Sequence, residues 1–210
     1  MLFRSAVRLY LGTQRKAEAY QLSDASPDAS AFIAQTVDFA DRSDVDAGFP
    51  VQIVDKRLDA GNGLVFVSTP FAKATEVSGL FRGRLDFVVN KRDLDIVIDV
   101  YELMPSGEYM QLSASPAYQR RVSYALDRSQ RRLLEPGKRQ SIEFESERLT
   151  SRKMLPGSRL VLVLVVPKTQ FQQINYGTGK DVSEESMADA KEPLQIRWYG
   201  SSYVNMTIAR

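Results

Sequence analysis

The chain has 210 residues, 43% of them hydrophobic, and carries 28 Lys and Arg against 26 Asp and Glu. That is enough apolar material for one sizeable core, and the balanced, interspersed charge removes the electrostatic case for nucleic acid or an anionic membrane. With no cysteine and no histidine, the chain has no disulfide, no thiolate chemistry, no Ser-His-Asp triad and no preferred zinc ligand, so no metal or cofactor is expected.

The amino terminus, Met1 to Leu11, holds Arg4 and Arg8 inside an apolar stretch and reads as a strand rather than a signal peptide. A chain that starts inside a strand reads as a fragment of a longer protein. The absence of cysteine suits the cytoplasm and does not exclude export, so the compartment stays open. Weak helical periodicity runs over Ala29 to Ala34, and Gly61-Asn62-Gly63 signals a turn.

Strand alternation then dominates. In Leu80 to Val89, Phe81, Leu85, Phe87 and Val89 share a face opposed by Arg82, Arg84 and Asp86. In Asp93 to Met104, Leu94, Ile96, Ile98 and Val100 oppose Asp93, Asp95 and Asp99, which predicts one wet, acidic face. Pro105-Ser106-Gly107 predicts a hairpin, Arg120 to Leu126 and Ser141 to Glu145 alternate again, and Pro136-Gly137 and Pro156-Gly157 are turns. Leu160 to Val166 is apolar on both faces, which predicts a central strand covered on both sides; it is far short of the roughly 20 residues a bilayer span needs. A polar and aromatic loop, Lys168 to Lys180, follows. A weak helical stretch over Ser183 to Ala190 leads to strands at Leu194 to Tyr199 and Tyr203 to Ile208. Many short strands, frequent turns and few helices predict an all-β jelly-roll sandwich forming one domain over 1–210.

The runs LVFVSTPFAKATEVSG (Leu64 to Gly79), DLDIVIDVYELMPSGEYMQLS (Asp93 to Ser113) and LPGSRLVLVLVVP (Leu155 to Pro167) resemble the carboxy-terminal domain of the X-Pro dipeptidyl-peptidase and cocaine-esterase-like (CocE/NonD) acyl esterase family. The order matches too: Thr69-Pro70 through Gly79, then Asp93 and Asp95, Pro105 and Gly107, and Gly157, Arg159 and Leu160. The resemblance implies a galactose-binding-like jelly roll packed on an upstream α/β-hydrolase domain that owns the Ser, Asp and His of the triad. No catalytic residue is therefore expected here, in keeping with the absence of histidine and of a Gly-x-Ser-x-Gly elbow. The substrates implied for such a parent are acyl esters, amides or peptides with proline next to the amino terminus.

Several constellations carry candidate chemistry. The row Asp93, Asp95, Asp99 has the ligand type for Ca²⁺ or for paired acid-base work, against the commoner role of charges on a solvated strand; Asp95 also has Arg84 as a candidate partner on the preceding strand. In the loop, Lys168, Asn175 and Tyr176, with Gly177 and Gly179, are candidates for a groove at the hydrolase interface. Its glycines do not have P-loop spacing, since Ile174 and Asp181 stand where a glycine and a hydroxyl residue are required. Trp198 and Tyr199 have the chemistry to stack on a sugar or a partner domain, against the ordinary core role of a lone tryptophan. Asn205-Met206-Thr207 matches a glycosylation triplet but lies in a strand pattern, and Ser151 with Lys153 is a weak candidate dyad.

The reading is a non-catalytic accessory domain that shapes the substrate cleft of a serine hydrolase, with contacts between copies as a further role. The alternative is a free-standing carbohydrate-binding module of the same architecture. A self-sufficient enzyme is the weakest, because its base would have to be Lys, Asp or Glu.

Overall fold

The computed structural model describes residues 4–43, 52–112 and 116–209. Its strands are β1 Arg4–Lys16, β2 Ala19–Ser23, β3 Phe32–Val37, β4 Val54–Asp55, β5 Leu64–Ser68, β6 Thr75–Gly79, β7 Arg82–Val89 and β8 Asp95–Leu103. They continue with β9 Tyr109–Gln111, β10 Tyr118–Arg121, β11 Arg139–Glu145, β12 Thr150–Met154, β13 Arg159–Val165, β14 Leu194–Tyr199 and β15 Tyr203–Ala209. Helical structure among the described residues is limited to 3-10 turns at Val122–Tyr124, Val182–Glu184 and Met187–Lys191.

Hydrogen bonding links the strands in one path, β3-β14-β7-β15-β1-β2-β5-β13-β8-β9-β4, with β11 on β7, β10 on β8 and β12 on β6. Both halves of that path feed one core: Ile33, Leu85, Phe87 and Trp198 from one, Phe66, Ile96, Ile98, Leu160 and Leu162 from the other. A sheet whose two halves share a core must fold back on itself, and this makes the all-β sandwich. Tyr118 of β10 and Phe144 of β11 mark the closure, their ring centroids 5.6 Å apart although their strands belong to opposite layers.

Long strands turn the corner in pairs. β6 runs into β7 through Gly79 at φ +101°, and opposite them β11 runs into β12. The two bends are tied by reciprocal bonds in which Phe81 N donates to Ser146 Oγ and Ser146 N to Phe81 O. At the other corner, between β14 and β15, Ser202 Oγ accepts from the Asp86 amide. The Asp86 carboxylate accepts from Arg84, Ser141 and Ser201. Burial pushes this carboxyl up, but those three donors together hold it below the ordinary range.

β13 lies between β5 and β8. Leu160, Leu162 and Leu164 enter the main core, while Val161 and Val163 join Tyr101 in a second cluster with Val65, Val67, Leu103, Tyr109 and Val165. Leu58 and Ala60 lie over that second face, so the run is apolar on both sides because both sides are covered.

Three expectations are corrected. Ala29 to Ala34 is not helical: Ala31 N closes a turn on Asp28 O, and strand β3 begins at Phe32. The strand expected to Leu126 ends at Arg121, where Val122–Tyr124 turns as a 3-10 helix so that Ser123 can reach Asp93. Ser183 to Ala190 forms two short 3-10 turns instead of one helix, each capped by a side chain, Asp181 and Ser186.

Candidate functional site

Long connections gather at one end of the sandwich, where β8 begins and β10 and β13 finish. The face expected to be wet is dry there: Asp93, Asp95 and Asp99 are 0%, 9% and 7% exposed. Alternation along one strand cannot report that loops cover its second face.

The first two carboxylates are each held by more than one donor. Asp93 accepts from the amides of Leu94 and Ser123 at 2.9 and 3.0 Å, from Ser123 Oγ at 2.7 Å and from Arg131 at 3.3 Å. Asp95 accepts from Arg121 Nε at 3.1 Å and from Asn175 Nδ2 at 2.8 Å, so its partner is Arg121, while Arg84 pairs with Asp86. Burial raises the Asp95 carboxyl above its ordinary value, with Arg121 and Asn175 opposing. These bonds make the pair an anchor for the segments around it.

The loop between β13 and β14 is moulded onto this anchor. Asn175 Oδ1 accepts from Gly177 N, and Gly177 sits at φ +78° where a Cβ would stand 2.6 Å from Asp93 O. Arg131 reaches across to the carbonyls of Gly179 and Lys180. Glu185 accepts from the amides of Tyr176 and Thr178 at 2.7 and 2.8 Å and from the Thr178 hydroxyl. Lys180 closes the outer turn on Asp189 at 2.7 Å.

Of the residues singled out from sequence, Lys168, Asn175 and Tyr176 come together at this end. Lys168 is 6% exposed and donates to the carbonyls of Asp38 and Asp41. Asn175 is buried, and Tyr176 packs edge-on against Phe39, 5.6 Å between centroids. Trp198 lies in the core against Phe87, its indole N–H donating to Gln35 at 2.8 Å. Tyr199 is half-buried at the far end of β14, about 16 Å of strand from Leu194. There its ring meets Phe32, and Arg139 lies 3.8 Å from its centroid. Ser151 and Lys153 are exposed on β12.

Two features escaped the sequence reading: the anchoring role of the acidic pair, and the exposure of Phe171 and Met187 at 65% and 49%. The second leaves a trace in the sequence, since both are large apolar residues in a stretch rich in Gln, Gly, Ser and acidic residues.

A family model described as the X-Pro dipeptidyl-peptidase C-terminal non-catalytic domain matches residues 4–196. The chain belongs to this family. No curated protein matches. Among solved structures, an aminopeptidase from a marine sediment Thaumarchaeota archaeon is similar at TM-score 0.75 and 17% identity, over 97% of this chain and 37% of its own. An α-amino acid ester hydrolase is similar at 0.71 and 18%, over 97% and 36%. A CocE/NonD family hydrolase from Staphylococcus aureus is similar at 0.63 and 16%, over 99% and 37%. These likenesses establish the fold, and the chain spans little more than a third of the length of the structures it matches.

Proposed function

We propose that this non-catalytic domain packs against an α/β-hydrolase domain lying upstream in the same polypeptide and helps to shape its substrate cleft, the parent being a dipeptidyl-peptidase or acyl esterase. The observation that carries the reading is the family match over residues 4–196 to a non-catalytic C-terminal domain. The buried carboxylates Asp93 and Asp95 support it, because both are engaged by structural donors. The carbohydrate-module alternative gains no support from Tyr203 and Tyr199, since Arg8 lies 3.9 Å from the Tyr203 centroid and Arg139 lies 3.8 Å from that of Tyr199 and each covers a ring face.

The test is hydrolysis of p-nitrophenyl esters and of Gly-Pro and Ala-Pro anilides by the purified chain, with a serine-directed phosphonate as label. No turnover and no label are expected. Turnover with stoichiometric labelling would overturn the reading, since it requires a nucleophile and base within these residues.

A further inference from the structure

A β-sheet ends in strands whose outer backbone groups meet no neighbour, and proteins guard such edges with charged side chains, among other devices. Among the described residues, β3, β4, β10, β11 and β12 each pair with one strand only. Four of them carry charge, as Asp55 on β4, Arg121 on β10, Glu143 on β11 and Lys153 on β12 show. The remaining edge, β3 from Phe32 to Val37, carries none.

The neighbouring strand fixes which way the backbone of β3 points. Gln195 of β14 donates its amide to Asn90 Oδ1 at 2.8 Å and accepts from the Asn90 amide at 3.2 Å, so its backbone groups face the end of β7. Thr36 lies opposite Gln195, and in an antiparallel ladder such a pair turns its backbone groups away from each other. The amides and carbonyls of Phe32, Ala34 and Thr36 accordingly point to the open edge, while those of Ile33, Gln35 and Val37 face β14. The side chains of the same three residues are exposed, Phe32 at 43%. The open stretch is bounded at both ends: Ala31 O accepts from Gly200 N before it, and Asp38 O accepts from Lys168 Nζ after it.

We propose that β3 is a self-association edge, which takes β3 of a second copy of this chain in antiparallel register about a two-fold axis at Ala34. The open stretch fits itself, because its outward residues are centred on Ala34: Phe32 of one copy falls opposite Thr36 of the other, and Ala34 faces its counterpart. These pairs exchange about six backbone hydrogen bonds. Each Phe32–Thr36 pair joins an aromatic to a β-branched side chain, a favourable cross-strand combination, and the Phe32 ring is backed by Tyr199 at 5.9 Å between centroids. The other edges do not offer this. Self-pairing of β10 or β12 brings together strands whose charges are all basic. On β11, Glu145 is held by Arg82, and Arg139 by Ala29 O and Ser201. A contact as short as β3 lies at the weak end of interfaces, so the dimer forms in a concentration-dependent way.

The chain contains no cysteine, so Ala34→Cys introduces a single thiol that reports on the axis. Across it the two Cα atoms stand about 5.5 Å apart, within the range a disulfide spans. Under mild oxidation Ala34→Cys should form a covalent dimer about tenfold or more faster than Ser151→Cys on the exposed edge strand β12, because pairing raises the effective thiol concentration. Equal rates would overturn the proposal. Sedimentation equilibrium of the unmodified chain should show a concentration-dependent dimer. Ala34→Lys sets two like charges against each other at the axis and should abolish that dimer without changing the Tm. A dimer retained in Ala34→Lys, or an unmodified chain that stays monomeric at every concentration, would overturn the proposal. The same cross-linking on the longer polypeptide that the accessory-domain reading requires separates the two ideas. Loss of the Ala34→Cys dimer there would assign the edge to the hydrolase domain, overturning self-association and leaving the accessory reading intact.

Discussion

At the entrance to β8, Asp93 and Asp95 accept bonds from Ser123, Arg131, Arg121 and Asn175. Further along the same strand Asp99 is 7% exposed, with Oδ1 lacking a partner among the described residues. Burial pushes its carboxyl up to about 6, against the pull of the Ala117 amide and Gln111. The same burial, with Asp99 and Asp59 nearby, pushes the Tyr101 phenol up. The residue type and the side of the strand are the same, but the supply of donors differs. A buried carboxylate with donors on both oxygens organises the chain around it, whereas one with an oxygen left bare is a local cost, and only packing decides which it becomes.

Substitutions should separate the two cases, and the largest effect belongs to Asp93. Asp93→Ala leaves the Ser123 groups and the Arg131 guanidinium without their acceptor, and should cost about 3–5 kcal/mol in denaturant unfolding. A loss below ~1 kcal/mol would break the contrast with Asp99.

Next comes the loop itself. Asn175→Ala removes the bond to Asp95 and the acceptor for Gly177, and should cost about 1–3 kcal/mol. Hydrogen exchange should accelerate over residues 175–185 more than in β13. Uniform acceleration would show that the loop is not a separate unit resting on the acidic anchor.

Asp99→Asn should act in the opposite direction. A carboxyl raised from 3.8 to about 6 in the fold weakens the native state when ionised, so its cost is full above about pH 6 and fades as pH falls toward 3.8. The variant should gain about 1 kcal/mol at pH 8, under a ceiling of ~3 kcal/mol set by that difference, and the gain should disappear below about pH 4. Thermal melts at several pH values read it directly; a gain that persists in acid would exclude the titration as its cause.

The smallest effect is expected at the surface. Ser151→Ala and Lys153→Ala on exposed β12 should each change stability by less than about 0.5 kcal/mol, with no effect on phosphonate labelling. A larger stability change, or labelling that depends on either residue, would reveal chemistry outside the contrast drawn along β8.

Much of the architecture is legible along the chain because periodicity is a local property. Alternation locates β7, β8, β11, β14 and β15, and the doubly apolar run Leu160 to Val166 identifies β13 as a strand covered on both faces. Prolines and glycines place the hairpin at residues 105–107. The absence of histidine removes the common triads, and runs such as Asp93 to Ser113 point to the family that the match over 4–196 establishes.

The candidate site is less legible, because its parts are distant in sequence and their meaning depends on who meets whom. Asp95 finds Arg121 and Asn175 instead of Arg84, and Ser123 leaves its strand to reach Asp93. Residues 168–190 acquire their shape only when those groups meet. By itself the sequence determined where strands form and which catalytic chemistries are ruled out, since both follow from residue type and spacing. Tertiary structure alone decided which charges are buried, which donors satisfy them and which apolar side chains remain exposed, because burial and hydrogen-bond partnership arise from contacts between distant segments.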